Sequence, residues 1–451
     1  MREQTLRPEG QVALVVAALA LGCTRTPPAP AEAGVLDAGP PPDAAVDAAL
    51  EAAAAATLDK GPFNVLLVTV DSLRADMPWA GYERPIAPRL SALYKQSVAW
   101  TRAYSTSSFT SKSIPGFLTG KYPSELQRTG QFFTRYLDPK EFLCKNLSAE
   151  GISCVGAHAH MYFNPPGSGF EHGFSTWKIV PNLQFDYTTD PYITSDKLTP
   201  IAIDLMTEAA KDDKPFVAWF HYMDVHDKYF SHAESPHFGT KSRDLYDEEV
   251  FWTDMWIGKL LDFVESQPWG KKTAIIVSAD HGEGFGEHNV WRHAHEVWEE
   301  LVRVPLFAKV PGREPRTIDV PRSGIDIPAT IAELVGMKDV PPMHGKSLLP
   351  EIDGATPEER DVVVDLPEDD HNERRRALIH GKYKLIAFGD DYRFSLFDLE
   401  SDPGEKKDLW RESPDLAKEI RERYREVSKQ IVYVHPRGGI PGKPEKDPKK
   451  R

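Results

Sequence analysis

The chain has 451 residues, 41% of them hydrophobic, with 10 Trp and 21 Phe, which is enough for a sizeable core and excludes a wholly disordered protein. A formal charge of −14, from 54 basic and 68 acidic residues, leaves no general electrostatic footprint for nucleic acid. Three cysteines exclude a disulfide scaffold and a four-cysteine zinc site.

At the N-terminus, Arg2 and Arg7 precede an uncharged apolar run from Val12 to Leu21. A run this short does not span a bilayer as a stable helix, but it fits the hydrophobic region of an export signal. Ala20-Leu21-Gly22-Cys23 resembles a bacterial lipobox. Residues 1–23 are therefore expected to be a lipoprotein signal peptide, with the exported chain held at a membrane through Cys23, in the periplasm or at the cell surface. Residues 24–60 are rich in Ala and Pro (Pro27-Pro28-Ala29-Pro30, Pro40-Pro41-Pro42) and read as a spacer without a core.

The folded body is expected in two parts. In residues 61–345, Val65 to Val70 is a continuous β-branched and apolar run, the pattern of a strand buried on both faces. Similar runs occur at Phe216–Phe220, Thr273–Val277 and Val304–Phe307, separated by helical patterns such as Pro88–Gln96 and Asp247–Ser266. Strands alternating with helices predict an α/β fold with a doubly wound, mostly parallel sheet. Residues 346–435 carry short, closely spaced strand candidates around Arg376–Ile379, Lys382–Ile386 and Phe394–Asp398, then a helix from about Pro414 to Gln430. That predicts a small antiparallel C-terminal subdomain. Residues 436–451, Pro- and Lys-rich, are expected to be disordered. Cys144 and Cys154 read as two buried free thiols, with a disulfide outside the cytosol as the alternative.

Ligands of open parallel sheets bind beyond the carboxyl ends of the strands. The first run ends at Asp71, the run from Thr273 ends at Asp280-His281-Gly282-Glu283, and the run from Phe216 is followed by His221, Asp224 and His226. One Asp after a strand is commonly a helix cap. Three strands delivering carboxylates and imidazoles to one edge point instead to a site for one divalent cation, Mn²⁺, Zn²⁺ or Ca²⁺, because oxygen and nitrogen donors without thiolate suit such ions. The hydroxyl-rich stretch Ser105 to Ser113 enters a helix, whose N-terminus can receive an anionic ester.

These residues resemble the sulfatase family of the alkaline phosphatase superfamily. The resemblance lies in Val70-Asp71-Ser72-Leu73-Arg74-Ala75-Asp76, Leu118-Thr119-Gly120-Lys121-Tyr122-Pro123, Asp280-His281-Gly282-Glu283 with Gly286-Glu287-His288, and Val302-Arg303-Val304-Pro305-Leu306. It implies Asp71, Thr110, Asp280 and His281 as metal ligands. It places Thr110 where sulfatases carry the Cys of Cys-x-Pro-Ser-Arg, which they oxidise to formylglycine. Threonine cannot give that aldehyde, Ile114 replaces the supporting Arg, and Ser72 replaces a second Asp. Phosphoryl-transferring relatives use threonine directly as nucleophile. The resemblance also assigns His226, His293 and either His158 or His160 to binding the ester or protonating its leaving group, His158 being preferred by strand alternation. The expected activity is hydrolysis of an anionic phosphate or phosphonate ester, less readily a sulfate, on a small molecule, glycan or lipid head group. The alternatives are a phosphoethanolamine-type transferase and a catalytically degenerate binding protein.

Overall fold

A computed structural model describes residues 59, 61–164, 167–184 and 192–443. The expected signal peptide, Cys23, the spacer up to residue 58 and residues 444–451 lie outside the described residues.

Strand β1 (Asn64–Val70) is buried from Val65 onward, as a two-sided strand must be. Alternation sends Val65 and Leu67 into one hydrophobic core and Leu66, Val68 and Val70 into the other. After β1 come α1 (Pro88–Tyr94), β2 (Val98–Trp100), α2 (Thr110–Thr119), α3 (Leu143–Ala149), β3 (Ser153–His158) and β4 (Thr176–Ile179). They are followed by α4 (Ser195–Ala209), β5 (Phe216–Tyr222), α5 (Ser242–Ser266), β6 (Thr273–Ala279), α6 (Glu299–Val302), β7 (Leu306–Lys309) and β8 (Arg316–Ile318). The sheet order is β8-β2-β7-β6-β1-β5-β3-β4. All pairings are parallel except those of β7 with β6 and β2. The run expected at Val304–Phe307 is this opposed strand, displaced two residues along the chain. Together these form the doubly wound, mostly parallel sheet that the sequence predicts.

The C-terminal subdomain is an antiparallel meander of β9 (Val362–Leu366), β10 (Arg375–His380), β11 (Tyr383–Phe388) and β12 (Arg393–Asp398), covered by α7 (Pro414–Ser428). Its two faces divide by alternation. Val363, Leu378 and Leu385 pack against Ile420 and Tyr424 of α7, while Val362, Val364 and Ile379 pack against Val297, Leu301 and Val302 of the larger part. Lys384 on β11 is fully buried and lies 3.0 Å from both Glu299 and Glu405, so an ion triad crosses the same interface.

Two expectations are corrected. Cys144 on α3 and Cys154 on β3 form a disulfide, Cα atoms 5.8 Å apart, because the helix packs directly on the strand that follows it. Residues 436–443 are not disordered: the Arg437 amide donates to Arg128 O at 2.8 Å, and Lys443 Nζ reaches Asn372 O at 3.0 Å and Glu368 at 3.3 Å.

Candidate active site

The carboxyl ends of β1 and β6 are neighbours in the sheet, so Asp71 and Asp280 emerge side by side, both fully buried. Ser72, at φ +56°, turns the chain sharply; its amide donates to Asp280 Oδ1 (3.2 Å) and its hydroxyl to Asp71 Oδ1 (2.9 Å). Ser72 therefore orients both carboxylates.

Thr110 is the first residue of α2, after Phe109 in extended conformation, and no side chain caps the helix. Pro115 has no N–H to give the Ser111 carbonyl, which accepts from Tyr136 Oη instead, at 2.9 Å. Gly116 lets α2 lie against Thr106, since a Cβ there would sit 2.6 Å from its side chain. So held, Thr110 Oγ1 lies 3.3 Å from Asp71 Oδ2 and 3.0 Å from His281 Nε2. His281 Nδ1 faces Gly282 O at 2.9 Å; a carbonyl only accepts, so the proton is on Nδ1 and the Nε2 lone pair points at Thr110. Burial and the nearby His293 hold the His281 ring well below the usual histidine range, which keeps it neutral.

Two buried carboxylates this close call for a cation. Burial and the charge of Asp71 push Asp280 well above the usual carboxylate range. Burial acts on Asp71 too, but the His221 hydrogen bond and the charges of His226 and His281 hold it well below. Asp280 Oδ2 is buried and accepts no hydrogen bond. His281 Nε2 lies 3.3 Å from Asp280 Oδ2 and 3.8 Å from Asp71 Oδ1. Oxygen and imidazole donors around an unsatisfied carboxylate oxygen fit a divalent metal ion.

His221 is a site residue to which the sequence reading assigned no role. A consistent donor chain runs from Trp219 Nε1 to Thr69 Oγ1 (2.8 Å), from Thr69 to His221 Nδ1 (2.8 Å), and from His221 Nε2 to Asp71 Oδ2 (3.2 Å). It orients the carboxylate that faces Thr110, as outer hydrogen bonds do around metal ligands. Glu283 was likewise without an assigned role. It is fully buried, bonds Tyr229 Oη at 2.8 Å and approaches His293 Nδ1 at 3.2 Å. The His293 ring lies 4.2 Å from that of His281 and 5.1 Å from that of His226, centroid to centroid, so three histidines line one side of the site.

The structure separates the paired candidates on β3. His158 is fully buried between Phe163 and Trp177, and its ring nitrogens make no hydrogen bond of good geometry. The neighbouring His160 ring is the one that approaches His226, at 6.5 Å. The alternation argument fails because β3 ends at His158 and a tight helical turn begins at Met161. His295 turns away, onto Asn372. Asp224 serves α4: its carboxylate accepts from the Thr194 and Ser195 amides at 2.7 and 2.8 Å.

A mostly parallel sheet with two carboxylates, a neutral imidazole and a helix-start hydroxyl at its carboxyl edge defines an ester hydrolase of the alkaline-phosphatase-like class. The sulfatase family model matches residues 63–337, and that of the N-sulphoglucosamine sulphohydrolase C-terminal region matches residues 286–430. The chain belongs to the sulfatase family. It is 28% identical over 355 residues to an ulvan-active sulfatase of Formosa agariphila, covering 67% of each chain. It is 31% identical over 172 residues to a choline-sulfatase of Rhizobium meliloti, covering 38% of this chain and 33% of that one. The solved structure of Ps i-CgsB with k-i-k-neocarrahexaose superposes with a TM-score of 0.67 at 19% identity, over 82% of this chain and 94% of that one. The phosphonate monoester hydrolase of Agrobacterium radiobacter superposes with a TM-score of 0.64 at 16% identity, over 82% and 96%.

Proposed function

We propose that this enzyme hydrolyses a phosphate or phosphonate ester, in preference to a sulfate ester, with Thr110 as the nucleophile. The observation that carries the reading is Thr110 Oγ1 at 3.0 Å from His281 Nε2 and 3.3 Å from Asp71 Oδ2, at the position that the sequence resemblance gives to the oxidisable cysteine of sulfatases. Ile114, at the position that the resemblance gives to the supporting arginine, is fully buried in the hydrophobic core and offers no charge to an aldehyde. A phosphonate monoester hydrolase among the structural neighbours shows that this fold carries phosphorus chemistry as well.

Asp71, Thr110, Asp280 and His281 would hold one divalent cation, which when bound supplies Lewis-acid polarisation of the ester and a lower pKa for the threonine hydroxyl. Thr110 Oγ1 then attacks phosphorus, its proton leaving toward Asp71 Oδ2, and a threonyl ester forms as the alcohol departs. His293 gives its Nε2 proton to the departing oxygen, its other nitrogen being held by Glu283; His226 binds the anionic oxygens beside it. Water resolves the covalent ester. We also propose that the protein acts outside the cytosol, anchored through Cys23; the Cys144–Cys154 disulfide supports an oxidising compartment.

The test compares the purified protein, supplied with Mn²⁺, Zn²⁺ or Ca²⁺, on matched aryl phosphate monoester, phosphodiester and sulfate. Phosphoester cleavage is expected to dominate and to fall by ~10³-fold or more in Thr110→Ala. Dominant sulfate cleavage, or activity that survives the substitution, would sink the proposal.

A further inference from the structure

A second set of metal-type donors lies away from the Thr110 site, in a cavity of about 650 Å³ between α6 and the loop that follows β12. Ligand atoms of His288, Glu300 and Glu405 lie there within 4.8 Å of one another. The Glu300 side chain is only 9% exposed, and its Oε1 is buried without a hydrogen-bond partner. His288 Nε2 lies 4.0 Å from Glu300 Oε2. The His288 ring is fixed by stacking on Trp298, 4.0 Å between centroids and 6° from parallel.

The other carboxylates around the cavity have cationic partners of their own. Glu299 and Glu405 share the one ammonium of Lys384, each at 3.0 Å. Arg74 pairs with Asp76 and Glu287, and Arg303 donates to the Thr101 carbonyl. Among the described residues, no lysine or arginine nitrogen lies within 4.0 Å of the Glu300 carboxylate, which has only the His288 ring at that distance. Two of the three donor residues, His288 and Glu405, sit at φ +52° and +49°, in the left-handed region that non-glycine residues seldom adopt.

We propose that His288, Glu300 and Glu405 form a second cation site, for a divalent transition-metal ion such as Zn²⁺. One imidazole nitrogen and two carboxylates are a donor set that such an ion takes, and the ion would satisfy the unpartnered Glu300 oxygen. Glu405 belongs to the C-terminal subdomain, whereas His288 and Glu300 belong to the larger part, so the ion clamps the two together. The site is separate from Thr110 and does not depend on the activity proposed above.

The test counts Zn²⁺ on the metal-stripped protein, by calorimetric titration and by elemental analysis after desalting. Wild type is expected to bind two ions, Glu300→Gln one, Asp280→Asn one, and the double variant none. Zn²⁺ should raise the melting temperature of Asp280→Asn and leave that of the double variant unmoved. His288→Asn, in which asparagine tolerates the left-handed backbone, is a second probe expected to weaken the remaining site of Asp280→Asn by about tenfold or more. Zinc binding that Asp280→Asn abolishes outright, or two ions still bound by Glu300→Gln, overturns the proposal without touching the Thr110 reading.

Discussion

Lys112 Nζ lies 3.1 Å from Asp369 Oδ2, and both side chains are 1% exposed. Lys112 stands in the first turn of α2, two residues after Thr110, and Asp369 follows β9, so this ion pair ties the nucleophile helix to the C-terminal subdomain. Lys112 also donates to Thr134 Oγ1 at 2.6 Å and Phe132 O at 2.7 Å, while Asp369 accepts from the His371 and Asn372 amides at 2.8 and 2.7 Å. The two ends are unequal: burial already lowers the lysine from its ordinary pKa. Asp369→Asn is expected to destabilise the fold by roughly 3–5 kcal/mol, because it leaves a buried ammonium without its counter-charge. Lys112→Met with Asp369→Leu should cost less than that single change. Urea unfolding of the variants decides it; an Asp369→Asn loss below ~1 kcal/mol would show that the pair is not needed.

The histidines make a discriminating pair. His158 lies among rings with no partner of good geometry, whereas His226 sits against His293. His158→Phe, which matches the shape of that aromatic pocket, should change kcat/KM by no more than a few-fold. His226→Ala should lower it by ~10²-fold or more. A large loss in His158→Phe with an unchanged melting temperature would return His158 to the chemistry.

Helix α1 lacks a cap of its own, since its N-cap is Ala87. Asp254 of α5 supplies one from across the core, accepting from the Arg89 and Leu90 amides at 2.8 and 2.7 Å. Burial outweighs those donors and raises its pKa to about 7. The folded state thus keeps a proton that the unfolded chain, with a carboxyl near 3.9, releases much earlier. This group's contribution to stability is full below about pH 4 and is lost as pH rises toward 7. Asp254→Asn cannot ionise, so between pH 4 and 7 its stability should gain on wild type by on the order of 2–4 kcal/mol. Parallel denaturation curves across that range would refute it.

What was legible in the sequence follows a physical division. Asp71, Asp280 and His281 end apolar runs, and local pattern was enough to find them; within the hydroxyl-rich stretch Ser105 to Ser113, Thr110 was picked out by the family resemblance. His221 is also a strand-end residue, but its role depends on the register that sets Thr69 opposite it, and no periodicity reveals register between β1 and β5. The choice between His158 and His160 needed the backbone to stay extended past residue 158, which it does not. Pairing of Cys144 with Cys154 depends on α3 lying on β3, a packing fact. In the C-terminal subdomain the alternating strands were readable, except β9, whose Val362-Val363-Val364 stands apart from the closely spaced group that signalled the sheet.

Asp280 is the residue on which metal removal should act most visibly. In the metal-free protein its carboxylate is buried beside that of Asp71 with one oxygen unsatisfied, so the charge there is a cost. With a cation between the two, the same charge becomes an attraction. Stripping the metal with a chelator should therefore lower the melting temperature of wild type; saturation at 100 times Kd corresponds to about 2.7 kcal/mol of stabilisation. Asp280→Asn removes the repulsion and most of the affinity together. The stripped variant should be more stable than stripped wild type by about 1–3 kcal/mol, although metal-loaded wild type remains the more stable form. Opposite signs in the two states are the signature of a carboxylate kept for a cation. If Asp280→Asn destabilised both states equally, Asp280 would be acting only as a structural hydrogen-bond acceptor for the Ser72 and His281 amides, which approach it at 3.2 and 2.9 Å.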